Sequence, residues 1–379
     1  MLNLKFEILA EAHRLGFLLA GVTLPDLPTS YPTFEKWLEA GHHGQMAYLE
    51  TERARLRRSD PHLILPEVKS ILALGFAYNA PVDVINKPGS VNNGKIAAYA
   101  AGEDYHLIIP PLLEQLALFA QKMVGQPVIW KGYTDTGPIL EREVAMRAGL
   151  GWIGKNSCLI SPQYGSYFLL AEILWDIALE PDTAIHHDYC GSCTRCIDAC
   201  PTECILPNRT LDATRCISYL TIENKRDIAP DLRPYQGDWI FGCDVCQQVC
   251  PWNIRFAPAR PETAFPASPE TQPTELISEL SITPQSFNRK FRRSPILRAR
   301  RRGYLRNICV ALGNRVNPAA VPALSAVLRE EPEIMVRAHA AWALGQIGGE
   351  EAKGALFAAS LVEKELQVIA EIETALHYC

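Results

Sequence analysis

Residues 190–204 read CGSCTRCIDACPTEC, and residues 242–253 read GCDVCQQVCPWN. Together with Cys216, these two runs hold nine of the 12 cysteines in the chain. The first run has the spacing C-x2-C-x2-C-x3-C-P. This spacing is typical of bacterial ferredoxins, in which three cysteines bind one iron–sulfur cluster and the fourth binds the other. The pattern therefore predicts two 4Fe-4S clusters.

Ferredoxin connectivity assigns four thiolates to each cluster and leaves Cys204 unassigned. The predicted ligands of the first cluster are Cys190, Cys193, Cys196 and Cys250. The predicted ligands of the second cluster are Cys200, Cys216, Cys243 and Cys246. Two structural zinc sites are the alternative, but zinc ribbons use paired C-x2-C knuckles and not three cysteines followed by a fourth and a proline.

Length and composition describe an ordinary globular chain of several domains. It has 379 residues, is 48% hydrophobic and carries a formal net charge of −5. We expect no membrane span, because no apolar run approaches the roughly 20 residues that a span needs. The N-terminus lacks the features of a signal peptide, so we expect a cytoplasmic protein. Thiols stay reduced there, which disfavours disulfides.

Alternating helical and strand patterns predict an α+β multidomain protein. Residues 1–180 are expected to form an α/β domain and residues 181–258 a ferredoxin-like domain with two clusters. A proline-rich linker at 259–284 precedes a HEAT-like helical domain at 285–379. The helical prediction rests on an Ala-Leu pair that recurs every 32 residues, at 311, 343 and 375. Such helical repeats stack because none buries its apolar face alone. A plain helical bundle is the alternative.

Residues 289–306, RKFRRSPILRARRRGYLR, contain nine arginines or lysines and no acidic residue. An unbalanced basic run suits the phosphate backbone of a nucleic acid. Phe291 and Tyr304 lie within the run and could stack on unpaired bases. The alternative interpretation is a solvated helix face.

Asp135 lies in the segment YTDTGP, between a predicted strand at 128–133 and a helix expected to begin at Pro138. An aspartate there is most often a turn or capping residue, but a carboxylate at the end of a strand can also act as a proton donor. Residues 149–154, GLGWIG, match G-x-G-x-x-G. We reject a dinucleotide site because that fingerprint needs a strand before it and a helix after it. We expect these glycines to allow close backbone packing.

These segments together resemble the epoxyqueuosine reductases of the queuosine tRNA pathway. The resemblance rests on CGSCTRCIDACPT, RCISYLT, GCDVCQQVCPWN, YTDTGPILEREVAMRAGLGWIGKN and PQYGSYFLLAEI, and it extends over the whole chain. It implies reduction of the epoxide of epoxyqueuosine in tRNA, with cobalamin as a cofactor fed by the two clusters. It also implies that Asp135 is the proton donor.

The resemblance further implies cofactor contacts, and the basic run provides the expected tRNA contacts. The expected cobalamin-binding residues are Arg58, Asp135, Leu159, Leu170, Ser218, Cys243 and Asp244. The expected tRNA-binding residues are Arg298, Arg300, Arg301 and Arg302, which would contact the anticodon region carrying epoxyqueuosine. We expect a monomer that receives electrons from an external donor.

Two other functions remain open from the sequence. One is a cobalamin-dependent reductase of a small molecule, similar to reductive dehalogenases, which leaves the basic run and the repeats without a role. The other is a non-enzymatic electron carrier built from a ferredoxin module and a HEAT scaffold, which leaves Asp135 and its domain without a role.

Overall fold

The computed structural model describes residues 2–78, 93–256 and 275–378, which form two compact units. The first unit comprises the described residues within 1–82, 103–212 and 245–266. The second comprises those within 83–102, 213–244 and 267–379. Residues 259–274 of the predicted linker lie outside the described residues, and a short helix follows directly at Leu276–Glu279. The expected domain boundaries remain predictions.

The helices in chain order are α1 (Leu2–Arg14), α2 (Tyr31–Glu39), α3 (Glu52–Ser59), α4 (Tyr105–Val124), α5 (Glu141–Arg147), α6 (Arg195–Asp198), α7 (Ile217–Ile222), α8 (Val245–Gln248), α9 (Pro251–Phe256), α10 (Leu276–Glu279), α11 (Pro284–Lys290), α12 (Arg300–Arg315), α13 (Val321–Glu330), α14 (Ile334–Ile347), α15 (Gly349–Ser360) and α16 (Leu366–Tyr378). The strands are β1 (Leu19–Thr23), β2 (Ser70–Ala77), β3 (Lys95–Ile96), β4 (Trp130–Tyr133), β5 (Trp152–Ile153), β6 (Leu159–Ile160), β7 (Phe168–Trp175), β8 (Ile205–Leu206), β9 (Thr210–Leu211) and β10 (Trp239–Phe241).

An antiparallel sheet with strand order β1-β2-β7-β4 forms the centre of the first unit. The inner strand β2, SILALGFA, is buried along its whole length, which explains its continuous apolar sequence. Helix α5 covers one face, where Val144 and Ala145 pack with Ile71, Ala73 and Leu174. Helices α1 and α4 pack against each other, and α4 also packs against β4 and β7. The sheet thus positions the loop that joins β4 to α5.

The prediction that the glycines of GLGWIG allow close packing is confirmed. Gly149 has a left-handed backbone with φ of 78°. A Cβ atom on Gly151 would lie 2.3 Å from the carbonyl oxygen of Ile160, so a side chain there would separate this segment from β6. The expected helix from Pro138 begins later, at Glu141, because Leu140 still has a non-helical backbone.

Among the described residues, helix α4 is a weak candidate for a membrane span, by length and composition alone. The expectation that the chain has no membrane span therefore stays a prediction. The core helix of a folded domain passes the same test. Ile109, Leu113 and Leu116 are buried on the side that packs against the sheet and α1.

The second unit contains the helical repeats that the 32-residue period predicted. The three Ala-Leu pairs lie in α12, α14 and α16, and α14 packs against both of the other helices. The close packing has a direct cause. A Cβ atom on Gly313 would lie 2.9 Å from the Cα atom of Ala343, and one on Gly345 would lie 2.8 Å from that of Ala375. Small residues therefore recur with the repeat because they set the distance between helices.

A segment that we assigned to the first domain lies in the second unit. The sequence KIAAYA (95–100) predicts a strand, but only Lys95–Ile96 is extended, and it pairs with β10 in parallel. Ala98–Ala100 forms a 3-10 helix instead. Its first N–H donates to the Oδ2 atom of Asp244 at 2.7 Å.

Candidate functional site

Four predicted cluster ligands line a single cavity in the first unit. The cavity has a volume of about 180 Å³, and its cysteines are Cys190, Cys193, Cys196 and Cys250. Four thiolates on one zinc ion at about 2.3 Å would lie about 3.8 Å from one another. Within the described part of the chain, however, no three cysteine, histidine or acidic side chains converge closely enough to hold a single ion. A cavity lined by these four thiols is compatible with the 4Fe-4S cluster that the ferredoxin spacing predicts.

Polar groups and aromatic rings surround this cavity. The indole N–H of Trp152 donates to the Sγ atom of Cys190 at 3.5 Å. The Lys155 amine donates to the carbonyl oxygens of Gly191 at 2.7 Å and Cys193 at 3.0 Å. Trp252 packs edge-on against Trp152, with ring centroids 4.8 Å apart. Donors and a positive charge stabilise an anionic cluster, and the rings exclude water from it.

Burial makes two of these thiols, Cys196 and Cys250, hard to ionise without metal. It raises the pKa of Cys196 to about 11, and the neighbouring thiols raise it further, beginning with Cys190. Burial also raises the pKa of Cys250. Because iron binds the thiolate, cluster assembly must release these protons and is coupled to pH.

The ligands assigned to the second cluster are divided between the two units. Cys200 and Cys246 belong to the first unit, and Cys216 and Cys243 belong to the second. The ferredoxin connectivity assigns Cys204 to neither cluster, and the sequence did not indicate that Cys204 lies beside Cys200. Its Sγ atom lies 3.5 Å from that of Cys200, and this contact lowers the pKa of Cys200 to about 5.

Asp135 lies in the loop after β4, with a left-handed backbone of φ 61°. The Tyr105 hydroxyl donates to its Oδ2 atom at 3.0 Å, and the Nε2 atom of His106 lies 3.6 Å from the same oxygen. The side chain of Asp135 is 64% exposed. Thr134, the residue before it, donates from its hydroxyl to the carbonyl oxygen of Leu170 at 2.8 Å. Asp135 is thus a turn residue whose carboxylate faces outward and is held by side chains from α4.

His106 connects two carboxylates. Its Nδ1 atom lies 2.8 Å from Asp104, which also caps the N-terminus of α4. The hydrogen bond to Asp104 and then the interaction with Asp135 raise the pKa of His106 to about 9, against a smaller opposing effect of burial. His106 is therefore an imidazolium at neutral pH. We did not predict this Asp-Tyr-His group. Its only signal was an aspartate before an apolar helix, and Tyr105 is 30 residues from Asp135.

Arg58 and Leu170 lie beside the same loop. The half-buried guanidinium of Arg58 donates to the carbonyl oxygens of Ala54 at 3.1 Å and Gly137 at 3.3 Å. Among the described residues, these two bonds use two of its five N–H groups. Leu159 and Leu170 both belong to the core cluster under α5, Leu159 buried and Leu170 partly exposed. This polar and apolar combination suits a corrin.

The remaining expected cobalamin contacts, Ser218, Cys243 and Asp244, lie in the second unit. Ser218 belongs to α7, and Cys243 and Asp244 follow β10. Asp244 is buried, and burial raises its pKa to about 7.

The basic run is less uniform than its sequence indicates. Arg301 is only 18% exposed, and its guanidinium binds both carboxylate oxygens of Glu331, at 2.9 Å and 2.7 Å. Arg302 is half-buried, whereas Arg298 and Arg300 are exposed. Arg298 also forms an ion pair with Glu223 at 2.7 Å. Part of the positive charge therefore stabilises the fold.

The aromatic residues of this run do not stack on bases. Phe291 and Tyr304 are 1% and 0% exposed, so that expectation is wrong. Their rings pack against each other with centroids 5.2 Å apart. The Tyr304 hydroxyl donates to Glu279 at 3.0 Å. Phe291 lies at the end of α11 and Tyr304 in α12, and both are core residues, which a charge count does not reveal.

Three family models match parts of the chain. Residues 58–136 match the model described as epoxyqueuosine reductase QueG, DUF1730. Residues 189–253 match a 4Fe-4S double cluster binding domain, and residues 294–377 match HEAT repeats.

Individual relatives match over most of the chain. The epoxyqueuosine reductase of Pseudomonas aeruginosa is 38% identical over 342 residues, which cover 89% of this chain and 92% of that protein. A crystal structure of epoxyqueuosine reductase with an epoxyqueuosine-modified tRNA-Tyr stem loop is 32% identical, with a TM-score of 0.88, covering 99% of this chain and 98% of that one. A structure of the Bacillus subtilis enzyme, with its catalytic loop swung out of the active site, is 31% identical with a TM-score of 0.86 and covers 99% of both chains.

Proposed function

Because this chain belongs to the epoxyqueuosine reductase family, we propose that it reduces the epoxide of epoxyqueuosine in tRNA to the alkene of queuosine. The observation that carries this function is the match over 99% of the chain to an epoxyqueuosine reductase solved with a modified tRNA stem loop. The reaction consumes two electrons and two protons and releases the epoxide oxygen as water. The protein must therefore deliver electrons, supply protons and bind tRNA.

Electron delivery is assigned to the cluster domain. The double-cluster model covers all eight predicted ligands, from Cys190 to Cys250. Two clusters suit a two-electron reduction, because each carries one electron at a time. We propose that an external reductant of the cell supplies these electrons.

We further propose that the enzyme uses cobalamin, held in the first unit by Arg58, Leu159 and Leu170 beside Asp135. The Arg58 N–H groups would donate to the corrin amides, and the partly exposed Leu170 would pack on the apolar edge of the corrin. Leu159 is buried in the core and would contact the corrin through its backbone. When bound, cobalamin supplies a cobalt centre that can pass the clusters' electrons to a carbon–oxygen bond. Ser218, Cys243 and Asp244 are also proposed as cobalamin-binding residues.

Asp135 is proposed as the proton donor to the epoxide oxygen. Its exposed carboxyl group can reach a substrate, while Tyr105 fixes one oxygen through its hydroxyl hydrogen bond. After the proton leaves, Tyr105 and the His106 imidazolium stabilise the carboxylate that remains. Tyr105 and His106 thus position Asp135 and need not touch the substrate.

We propose that tRNA binds the basic run through its exposed side chains, chiefly Arg298 and Arg300. Arg301 contributes charge but is bound to Glu331, and Arg302 contributes charge from a half-buried position. An electron-carrier function would leave the arrangement around Asp135 unused, and reduction of a small molecule would leave the basic run unused. We propose a monomeric, cytoplasmic enzyme.

The test is direct. The anaerobically reconstituted protein, with clusters, cobalamin and a strong reductant, is incubated with tRNA that contains epoxyqueuosine, and the digested nucleosides are separated by mass. We expect queuosine to replace epoxyqueuosine only when protein and reductant are both present. Unchanged epoxyqueuosine with protein whose clusters and cobalamin are intact would contradict the proposed function.

A further inference from the structure

Two buried side chains converge on the sulfur of Cys200, which the ferredoxin connectivity assigns to the second cluster. The Sγ atom of Cys204 lies 3.5 Å from that sulfur, and Cys204 is 4% exposed. The Oγ1 atom of Thr202 lies 3.7 Å from the same sulfur, and Thr202 is 1% exposed. Cys204 is assigned to neither cluster, so its contact with Cys200 needs a role other than iron binding.

The backbone holds Cys204 against Cys200. Glu203 has a left-handed backbone with φ of 53°, and its N–H donates to the carbonyl oxygen of Cys200 at 3.1 Å. The chain therefore turns back tightly before Cys204. The carbonyl oxygen of Cys204 accepts a hydrogen bond from the N–H of Asp212 at 2.8 Å. The hairpin of β8 and β9 follows directly, which anchors the turn from the other side.

Iron binding fixes the direction of both side-chain hydrogen bonds. Between two neutral groups, either atom of each contact could be the donor. A cysteine that binds iron is a thiolate and has no proton. The Cys200 sulfur can then only accept, so the Cys204 thiol and the Thr202 hydroxyl must donate to it.

Hydrogen bonds to a ligand sulfur change the reduction potential of an iron–sulfur cluster. Adding one electron increases the negative charge that the ligand sulfurs share. Donors aimed at one of these sulfurs therefore stabilise the reduced form more than the oxidised form. The consequence is a higher reduction potential.

We propose that Cys204 and Thr202 raise the reduction potential of the second cluster, so that an electron from the external reductant resides preferentially on that cluster. This inference rests on the proposed function, which assigns electron delivery to the two clusters. The reductant loses one electron and the cluster gains it, without a bond made or broken in the chain. Cys204 and Thr202 are positioning residues that act through Cys200.

The test is a redox titration of the anaerobically reconstituted protein, without cobalamin or tRNA, followed by electron paramagnetic resonance of the reduced clusters. We expect two one-electron potentials, and Cys204→Ala and Thr202→Val should each lower the same one. At a fixed potential the ratio of reduced to oxidised cluster should fall about threefold, the scale of one weak hydrogen bond. This change equals about 28 mV, at about 59 mV per tenfold for one electron.

Two further variants serve as matched controls. Cys204→Ser keeps a hydrogen-bond donor at the position and should return the potential toward the wild-type value. Trp152→Phe removes the indole N–H that donates to Cys190, a predicted ligand of the first cluster, at 3.5 Å. It should therefore lower the other potential and leave the first affected one unchanged. Iron and sulfide content should match the wild-type protein in every variant.

The outcomes are separable. Unchanged potentials in Cys204→Ala and Thr202→Val proteins that keep both clusters would overturn the inference. Loss of a cluster from Cys204→Ala would also overturn it, because Cys204 would then be a ligand. An equal decrease of both potentials would do the same. Failure of the wild-type enzyme to make queuosine would reject the proposed function, whereas a selective decrease of one potential would still support the role of Cys204 and Thr202.

Discussion

Replacing Asp135 by Asn and by Ala separates its proposed chemistry from its role in the turn. The backbone at residue 135 is left-handed, with φ of 61°. Asn tolerates this conformation almost as well as Asp does, and its carbonyl oxygen can still accept the Tyr105 hydroxyl hydrogen bond. Asp135→Asn should therefore change the free energy of unfolding very little. It cannot, however, donate a comparably acidic proton.

Asp135→Ala should be less stable for two reasons. A left-handed backbone costs an ordinary L-residue about 1–2 kcal/mol. Loss of the hydrogen bond from Tyr105 adds about 0.5 kcal/mol, the low end of the usual range because the Asp135 side chain is 64% exposed. The sum, about 1.5–2.5 kcal/mol, should lower the melting temperature by several degrees.

Single-turnover reduction of epoxyqueuosine tRNA and thermal melting of both variants provide the assay. We expect both to lose roughly 10²-fold or more in rate, the usual scale of general acid catalysis, while retaining corrin and tRNA binding. Only the Ala variant should melt earlier. A fully active Asp135→Asn enzyme would show that Asp135 is a turn residue alone and that another group supplies the proton.

The remaining predictions concern the clusters, the basic run and His106. The intact protein should contain about eight iron atoms and about eight sulfide ions per chain. Cys250→Ala should lose one cluster, whereas Cys204→Ala should keep both. Stoichiometric zinc without sulfide would contradict this prediction. Arg300→Ala should weaken tRNA binding and flatten its salt dependence in filter-binding titrations, because fewer counterions are released. Arg301→Ala should instead lower the melting temperature, because it leaves the Glu331 carboxylate buried and unpaired; equal effects of both variants on both measurements would refute the distinction. Because the pKa of His106 is raised, its imidazolium stabilises the fold fully below about pH 6.5, and this stabilisation is lost as pH rises through about 9. The melting temperatures of wild-type protein and His106→Gln should therefore differ at pH 6 and converge at pH 10.

The cluster ligands illustrate what a sequence pattern can specify. Ferredoxin spacing is a local property, because a short run of chain must wrap around one cluster. The assignment of Cys250 to the first set was a longer inference, and the structure places Cys250 on the same cavity as Cys190, Cys193 and Cys196. The helical repeats could equally be predicted from the sequence, since one pattern of apolar and small residues recurs every 32 residues in α12, α14 and α16.

The basic run shows where sequence reasoning was insufficient. Charge composition counts arginines but does not reveal their partners. Glu331 is 30 residues from Arg301 in sequence, and only the packing of the helices brings the two together. Phe291 and Tyr304 are likewise interior residues, which no count of neighbouring charges could indicate.

The sequence by itself determined the cluster spacing, the helical repeats and the position of Asp135 between a strand and a helix, because each depends on residues near one another in the chain. Only the tertiary structure decided what surrounds Asp135. Tyr105 and His106 come from α4, and Glu141 comes from the start of α5. Burial and neighbouring charges set the protonation of His106 and Glu141, and both depend on strand register and helix packing between residues far apart in sequence.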